Sequence, residues 1–354
     1  MATINLASKY DKSIQEKFFT ESVLMGKTDQ SYSFAGVRTV IINTPITQPL
    51  VDYNRTASAN RFGTPEEMKD YIQELTLSQD KSYAITIDKG NLSDQMYIKE
   101  AGKMVKLQLR EQVVPHIDKY GLGKFAMNAG TVLGGTAPTK ATIIGLLAAG
   151  LVALDNAEVP DDGNRHIIIG ASQWNNLRLS TEYLAIDAIG QKSLEKGVIG
   201  MFMNAKVTKV PDSWLTPVNF LIFHKHSVTL IQKLRTLKLN TDPQGIDGAL
   251  IEGRHYFDAF VYGTKAAGVY AFTPTANVQA VVTITATLAS HALVSASATS
   301  IKYTIDGTDP RYSPTAVSVA TGDAVVLADG VTIKAVAYKT GSFPSAVSEA
   351  TYTA

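Results

Sequence analysis

The chain has 354 residues, of which 45% are hydrophobic and 18% are charged, and its formal net charge is +1 at pH 7. The sequence contains no cysteine, which excludes disulfides, thiolate catalysis and cysteine-ligated zinc. The near-neutral charge, without a basic tail or stripe, excludes a dedicated electrostatic surface for nucleic acid. The first residues, MATINLASKYDKS, lack the apolar core of a signal peptide, so we expect the chain to be made in the cytosol.

The N-terminal segment is mostly polar and carries one modest helical pattern, in which Ile14 and Phe18 recur at four-residue spacing. It holds too few apolar side chains to build a core of its own. We therefore predict that residues 1–31 form an N-terminal arm that lies along another surface; the alternative is a frayed terminus.

Residues 32–92 are predicted to form an extended loop built on two strands, residues 37–43 and 82–88, that pair as a long hairpin. In the polar stretch between them, residues 64–67 (TPEE) have the pattern of a helix start and residues 70–75 (DYIQEL) have a helical composition. Such an arm has little core of its own and is stable mainly when packed on another chain. The alternative is a disordered surface loop.

Four charged residues near the tip of this loop are candidates for contacts between copies of the chain: Arg55, Arg61, Glu66 and Glu67. Arginines and carboxylates on a shared surface can form ion pairs across a subunit boundary. The alternative is a solvated tip, because exposed ion pairs contribute little to stability.

A long helix is predicted over residues 93–128, where apolar residues from Tyr97 to Tyr120 recur at a spacing near 3.6. At about 1.5 Å per residue, some 27 residues give roughly 40 Å, which exceeds an ordinary globular helix. Pro115 lies inside the pattern and is expected to kink or break the helix, because proline removes a backbone hydrogen bond.

The middle of the chain predicts a mixed sheet packed against a buried helix. Residues 143–154 (IIGLLAAGLVAL) form the longest apolar run, which is too short for a membrane span of about 20 residues. Strand-like apolar runs follow at residues 165–170, 219–224 and 256–262. Within residues 192–211, Gly197 and Gly200 are predicted to mark sharp turns before an alternating strand.

The composition changes after residue 273, and the rest of the chain is rich in alanine, valine, threonine and serine. Short strands separated by turn sequences are predicted at residues 278–286, 300–305, 324–327, 332–338 and 346–352. Such short strands at regular spacing indicate a β-sandwich. Asp306 and Asp309 are expected to stabilise a turn, because the other ligands of a calcium loop are missing.

Short motifs in the middle of the chain follow one another in a defined order. They are Val159-Pro160 with Gly163 and Arg165, the apolar run 167–169, the stretch 194–200, and the strand 207–211. In order and spacing they resemble the major capsid proteins of tailed double-stranded-DNA bacteriophages, which have the Hong Kong 97-type capsid fold. The resemblance covers roughly the first three-quarters of the chain.

The last part of the chain carries a second resemblance. The sequence KYTIDGTDPRYSPT, followed by VTIKAVAYKTGSFPSAVSEATY, is similar to the small immunoglobulin-like domain at the C-terminus of chitobiase-type glycosidases. This similarity implies a fold and no activity.

Together the resemblances imply an α+β capsid fold followed by an all-β sandwich. The implied parts are an N-terminal arm (residues 1–31), an extended loop (32–92), a capsid core with a spine helix and an axial domain (93–273), and an immunoglobulin-like surface domain (274–354). In the capsid family the extended loop reaches over the neighbouring subunit. The family also implies a structural protein and not an enzyme, with no catalytic residue, cofactor or metal.

The implied function is that of a major capsid protein whose copies self-assemble into the hexamers and pentamers of an icosahedral head. Expected partners are other copies of the chain, portal and scaffolding proteins, and double-stranded DNA that is contacted without sequence specificity. The expected location is the virion, with assembly in the host cytoplasm and no membrane contact. The C-terminal domain is expected on the outside, for weak adhesion to host-surface polysaccharide.

Two other classes of protein stay open. The same fold builds encapsulin-type compartments. An immunoglobulin-like domain also accompanies glycosidases and adhesins, although the sequence shows no carboxylate pair of the kind that glycoside hydrolysis uses. His224, His226 and His255 could hold zinc, but no second ligand pair has metal spacing, so histidines at a sheet edge or subunit contact are the favoured interpretation.

Overall fold

The computed structural model describes most of the chain from residue 22 onwards. The described residues are 22–32, 38–47, 50–65, 67–68, 70–90, 101–180, 200–241, 243–245, 247–287 and 290–353. Most of the predicted N-terminal arm, the predicted start of the long helix at residues 93–100, and Gly197 lie outside them. Within the described ranges, no helix is long and apolar enough to span a membrane.

Strands and helices alternate irregularly up to residue 274, and strands dominate the C-terminal region. The strands are β1 (Thr39–Pro45), β2 (Asp70–Thr76), β3 (Gln79–Asp88), β4 (Thr131–Gly135), β5 (Arg165–Gly170), β6 (Gly200–Phe202), β7 (Ala205–Val210), β8 (Phe220–His224), β9 (Val228–Asn240), β10 (Gly248–Val261), β11 (Val269–Pro274), β12 (Thr283–Thr287), β13 (Ser290–Val294), β14 (Ser300–Thr304), β15 (Val317–Val319), β16 (Ala324–Val326), β17 (Thr332–Tyr338) and β18 (Ser348–Thr351). The helices are α1 (Ala101–Gln108), α2 (Val114–Met127), α3 (Ile143–Asn156), α4 (Ala171–Arg178) and α5 (Asp212–Leu215), with a π-helical turn at Leu109–Val113.

A six-stranded mixed sheet, in the order β4-β11-β8-β5-β7-β6, lies at the centre of the molecule. Every residue of β5 is buried, as its continuous apolar run predicts for a strand covered on both faces. On one face Ile168 packs with Phe125 of α2, and on the other face Ile167 packs in the cluster that contains Leu151 of α3. The predicted buried helix and the predicted strands at residues 165–170 and 219–224 are confirmed. The predicted strand at residues 256–262 falls on β10, which belongs to a separate sheet.

Helix α3 approaches the central sheet closely because Gly150 has no side chain. A Cβ atom at Gly150 would lie 2.7 Å from Cδ1 of Ile222 and 3.1 Å from the ring of Tyr270. Glycine lowers intrinsic helix stability, but here it permits the close contact that buries the apolar face of α3.

A second sheet, in the order β3-β10-β9, is antiparallel and packs against the long helix. We call the described helix from Ala101 to Met127, comprising α1, the π-helical turn and α2, the spine helix. The ring of Tyr120 meets the ring of Phe257 on β10 edge-on, with centroids 5.6 Å apart. The sheet and the helix therefore brace each other through aromatic contacts.

Pro115 does not break the spine helix, so that part of the prediction was wrong. In the π-helical turn that precedes it, the backbone N–H of Val114 bonds to the carbonyl of Leu109, five residues earlier. Pro115 then occupies the first turn of α2, where a missing N–H costs least. The wider turn thus accommodates the proline inside a continuous helix.

The extended hairpin differs from the prediction in its second strand. Strand β1 pairs with β2, from Thr39 opposite Thr76 to Pro45 opposite Asp70, and residues 70–75 are therefore a strand and not a helix. Buried residues alternate along β2, and this period of two is typical of a strand with one covered face. The second predicted strand became β3, which pairs with β10 in the other sheet. Residues 64 and 65 lie in irregular structure, so the predicted helix start is also wrong.

The turn before β7 lies three residues later than predicted. Gly200 begins strand β6, and the chain reverses at Met203 and Asn204, which have φ angles of 45° and 63°. Two consecutive left-handed residues form the tight hairpin turn that matches strand twist. The glycine pattern placed the hairpin correctly but not its tip.

The C-terminal region is a sandwich of two sheets, in the orders β12-β13-β16 and β15-β14-β17-β18. Its own core contains Leu293, Ile301 and Ile333, all fully buried. The predicted sandwich is confirmed, although β13 and β15 were not predicted because each is short and polar on one face. Asp306 accepts a hydrogen bond from the backbone N–H of Thr308 and stabilises the turn, as expected.

Candidate assembly surfaces

The hairpin formed by β1 and β2 has one covered face and one uncovered face. On the covered face, Ile42 and Leu75 pack in a cluster with Tyr262 of the core. On the other face, Ile41 is 62% exposed and Ile72 is 42% exposed. The hairpin therefore presents apolar side chains that its own chain leaves uncovered.

The loop that joins the two strands extends this apolar surface. Leu50, Val51, Phe62 and Met68 are 102%, 61%, 85% and 67% exposed. Exposed apolar side chains grouped on one segment are typical of a surface that binds another protein. Sequence reasoning missed these residues because they have no helical or strand periodicity; isolated apolar residues in a long polar loop were the available signal.

The loop tip, residues 53–63, has a defined conformation that its own hydrogen bonds maintain. The side-chain carbonyl of Asn54 accepts hydrogen bonds from the backbone N–H groups of Thr56 and Ala57, at 3.0 and 3.2 Å. The rings of Tyr53 and Phe62 meet edge-on with centroids 4.9 Å apart. A tip that keeps its shape without support from the core loses little entropy when it binds a neighbour.

The structure places three of the four predicted contact residues on this exposed loop. Arg55, Arg61 and Glu67 are exposed, whereas Glu66 lies outside the described residues. Nε of Arg61 donates a hydrogen bond to the carbonyl of Ala57 at 2.7 Å, which fixes the side chain along the tip. Their contact with another copy of the chain stays a prediction.

A buried carboxylate attaches the N-terminal segment to the spine helix. Asp118 is 1% exposed and accepts hydrogen bonds from the backbone N–H of Val23 at 2.6 Å and from the hydroxyl of Ser22 at 3.1 Å. Burial raises the pKa of the Asp118 carboxyl, and the hydrogen bond from Val23 opposes that rise. Leu24, which is fully buried, adds an apolar contact to the same core.

The N-terminal segment is also tied to the central sheet through a lysine. Nζ of Lys27 donates a hydrogen bond to Oγ1 of Thr208 on β7 at 2.7 Å. Burial lowers the pKa of Lys27 to about 8. The described residues of the N-terminal arm thus lie along the core of their own chain.

A second buried carboxylate joins the spine helix to the start of β3. Asp258 accepts hydrogen bonds from the hydroxyl of Tyr120 at 2.8 Å and from the backbone N–H of Ser78 at 2.8 Å. It is 2% exposed. Because charge-assisted hydrogen bonds are strong when water is excluded, Asp258 fixes the point where the hairpin leads into the second sheet.

The motif VPDDGNR, residues 159–165, forms an ordered loop around one buried arginine. The Arg165 side chain is 3% exposed, pairs with Asp155 at 2.6 Å, and donates a hydrogen bond to the carbonyl of Pro160 at 3.1 Å. Gly163 has a φ of +76°, which permits the turn. The motif therefore has a structural role at the edge of the central sheet.

The same loop accounts for two of the histidines considered as zinc ligands. Nε2 of His224 lies 3.0 Å from Asp162, and Nδ1 of His224 accepts the backbone N–H of His226. Hydrogen bonds from Asn164 and from His224 hold the pKa of Asp162 well below its usual range. His255 lies on β10, in the second sheet. Among the described residues, no cluster of three or more His, Cys, Asp or Glu could hold a metal ion.

Comparison with known sequences identifies the C-terminal region. Residues 292–352 match the family model described as Fn3 associated. This match fits the observed sandwich and the predicted immunoglobulin-like domain. The sequence matches no curated protein.

Comparison with solved structures identifies the fold of the larger part. A structure from Mycobacterium phage Che8 has a TM-score of 0.63 at 20% identity and covers 75% of this chain and 96% of that chain. A chain from the capsid of cyanophage P-SCSP1u has a TM-score of 0.61 at 10% identity and covers 76% and 92%. A chain from the mature capsid of bacteriophage PhiM1 has a TM-score of 0.59 at 11% identity and covers 76% and 92%. The chain therefore has the fold of phage capsid proteins, as its central motifs predicted, and carries a region that matches the Fn3-associated family near its C-terminal end.

Proposed function

We propose that this chain is a phage major capsid protein, whose copies assemble into hexamers and pentamers of an icosahedral head that encloses DNA. The observation that supports it most is the extent of the fold similarity, since 92–96% of the length of the solved phage chains is covered. The role is structural, and no catalytic step is part of the proposal.

The assembly mechanism is geometric. The hairpin and its loop carry apolar side chains that their own chain leaves exposed, including Leu50 and Phe62. When the loop lies over a neighbouring copy, these side chains are removed from water. This burial stabilises the contact by about 25 cal/mol per Å² of apolar surface. Each contact is small, and repetition around a closed shell makes the whole stable.

The partners follow from the shell. Portal and scaffolding proteins complete the head, and DNA is held without sequence specificity, in keeping with the formal net charge of +1. The location is the virion, after assembly in the host cytoplasm. The C-terminal domain lies on the outer surface, where its sheets are available for weak adhesion to host-surface polysaccharide.

Sedimentation and negative-stain microscopy of the purified chain test this function. We expect megadalton shells or capsomers, because the loop surface requires a partner copy. A monomer that stays stable at micromolar concentration with an ordered loop would falsify the proposal. Shells that enclose an enzyme rather than DNA after expression would indicate a protein compartment.

A matched pair of variants locates the contact surface. Leu50→Asp places a charge on the loop, and Val326→Asp places the same charge on an exposed position of the C-terminal sandwich, where valine is 75% exposed. We expect Leu50→Asp to reduce shell yield at least tenfold with the fold intact. Val326→Asp should assemble like the unmodified chain. Equal yields from both variants would remove the loop from the shell contact.

A further inference from the structure

The turn between β14 and β15 reaches out of the C-terminal sandwich and contacts the capsid-like core. Its Arg311 side chain is only 11% exposed, although it carries a charge. One terminal nitrogen, Nη1, donates hydrogen bonds to the carbonyls of Ala129 and Gly130 at 2.9 and 2.8 Å. The other side of the guanidinium pairs with Asp309 at 2.7 Å. A mostly buried arginine that bonds to carbonyls of the core and to a carboxylate of its own turn is an anchor and not a surface charge.

The anchor binds the end of the spine helix. The hydroxyl of Tyr312 donates a hydrogen bond to the carbonyl of Asn128 at 2.7 Å, and Asn128 is the C-terminal cap of α2. The last carbonyls of a helix have no partner within the helix. They also form the negative end of the helix dipole, which favours a nearby cation such as Arg311.

The same turn meets the base of the extended hairpin at one glycine. A Cβ atom at Gly263 would lie 2.8 Å from Cβ of Tyr312 and would also collide with the hydroxyl of Tyr71 on β2. Gly263 donates its backbone N–H to the side chain of Gln73 at 2.8 Å, and Gln73 donates to the carbonyl of Val261 at 3.0 Å. Hairpin, core and C-terminal domain therefore converge on Gly263.

A second segment of the domain also packs against the core. Phe343 follows β17 in the chain, yet its side chain is 1% exposed and belongs to the apolar cluster of the capsid-like core. Its backbone exchanges hydrogen bonds with Asn277 and Gln279 at 2.7 and 3.0 Å. Two separate attachments restrict rotation of the domain, which one flexible linker would permit.

We propose that the C-terminal domain has a further function as an internal brace, which holds the base of the extended hairpin in a fixed orientation against the spine helix. Tyr312 packs against Gly263, whose backbone N–H is accepted by Gln73 of β2. Arg311, paired with Asp309, holds the turn that carries Tyr312 on the carbonyls of the core. A domain that served only as an adhesive appendage would need neither the buried arginine nor the tyrosine. Holding the hairpin before assembly lowers the ordering cost of each contact between subunits.

Hydrogen exchange on the full-length, unassembled chain tests the brace. The variant Arg311→Ala with Tyr312→Ala removes the anchor, and Lys302→Ala on the same domain is the control. We expect amides of β2 to exchange at least tenfold faster in the double variant, with β5 and β17 still protected. The control should stay within twofold of the unmodified chain. Unchanged exchange in β2 overturns the brace.

If the double variant unfolds the whole C-terminal domain, amides of β17 will also exchange faster. A milder variant tests the brace in that case. Tyr312→Phe deletes only the hydroxyl that bonds to Asn128. It should speed exchange in β2 at least threefold while β17 stays protected, and unchanged exchange in β2 overturns the brace here too. Because the measurement is made before assembly, its outcome is independent of whether the unmodified chain forms shells.

Discussion

The extended loop and the C-terminal domain both lie outside the central sheet, but they bury their apolar residues in opposite ways. The C-terminal domain encloses Leu293 and Ile333 in a core of its own. The segment that joins β1 and β2 has no such core, and its Leu50 and Phe62 face solvent. The first region has an apolar core that can stabilise it, whereas the second depends on a partner surface to cover its apolar side chains. Under the proposed function, the contrast favours the loop as the surface that contacts a neighbouring copy and favours a supporting role for the domain.

The contrast is sharpest between two phenylalanines. Phe343 is 1% exposed and Phe62 is 85% exposed. We expect Phe343→Ala to lower the free energy of unfolding by about 3–5 kcal/mol, because it leaves a cavity in a packed core. Phe62→Ala should change it by no more than about 0.5 kcal/mol and should instead reduce shell yield. Urea unfolding of the unassembled chain, followed by sedimentation, measures both effects.

Equal destabilisation by the two alanine variants would contradict the comparison, because it would mean that Phe62 is buried in the unassembled chain. The Phe343→Ala variant is also easier to interpret than removal of the whole domain. Truncation after residue 272 deletes Phe343 along with the sandwich. A truncated chain that fails to assemble would therefore report a damaged core as readily as a missing brace.

The sequence predicted those elements whose pattern lies within one segment. Strand β5 and helix α3 were predicted because a continuous apolar run is sufficient to identify a buried element. Strand β2 was mispredicted because DYIQEL suits a helix locally, and the covered face made by Tyr71 and Leu75 decides for a strand. Tertiary burial overrides propensity in such short segments.

The site was less predictable than the fold. The loop was expected to contact a neighbour, but charged residues were chosen and the exposed apolar side chains were not. The anchor at Arg311 was not predictable, because a turn sequence such as DPRYS does not show which distant carbonyls its arginine will meet. Contacts between residues 181 and 184 positions apart follow from the packing of the two domains.

The N-terminal segment extends the comparison, since it too lacks a core and relies on a polar anchor. Asp118→Ala leaves the backbone N–H of Val23 without its acceptor in a buried site. We expect a loss of about 1–3 kcal/mol in the free energy of unfolding, with faster hydrogen exchange over residues 22–29. Asp118→Asn keeps an acceptor oxygen and should lose less than half as much. An alanine variant as stable as the unmodified chain would show that Leu24 and the Lys27 hydrogen bond hold the segment without Asp118.

Acid should lower the free energy of unfolding through His166, which lies on β5 of the central sheet and near three lysines. Burial, together with the charges of Lys27, Lys206 and Lys225 and a smaller contribution from His224, lowers the pKa of His166 to about 3. The unfolded chain, with an ordinary pKa of about 6.5, therefore binds the proton first as the pH falls. The contribution of His166 to stability is fully present above about pH 6.5 and is lost towards pH 3, by up to about 1.4 kcal/mol per pH unit.

The variant His166→Phe removes this titration and keeps a ring against Phe223, whose centroid lies 5.6 Å away. Between pH 6 and pH 4 the variant should lose less stability than the unmodified chain, measured by urea unfolding at each pH. Parallel pH profiles for the two chains would mean that the buried imidazole is not a proton acceptor on unfolding.

The smallest effect on the isolated chain belongs to the arginines of the loop tip. Arg55→Glu with Arg61→Glu changes two exposed side chains, so the free energy of unfolding should change by no more than about 0.5 kcal/mol. If the tip contacts a neighbouring copy as proposed, the reversed charges meet that copy several times in each capsomer, and like charges at such a contact repel. Shell closure should therefore fail while the fold persists.

The control is Lys302→Glu with Lys339→Glu, which changes the net charge equally on the C-terminal domain and should assemble normally. Raising the salt to about 0.5 M screens exposed charges and should restore part of the yield. If the loop variant closes shells at normal yield and heat stability in low salt, the tip is solvated and the loop binds its neighbour through its apolar side chains alone.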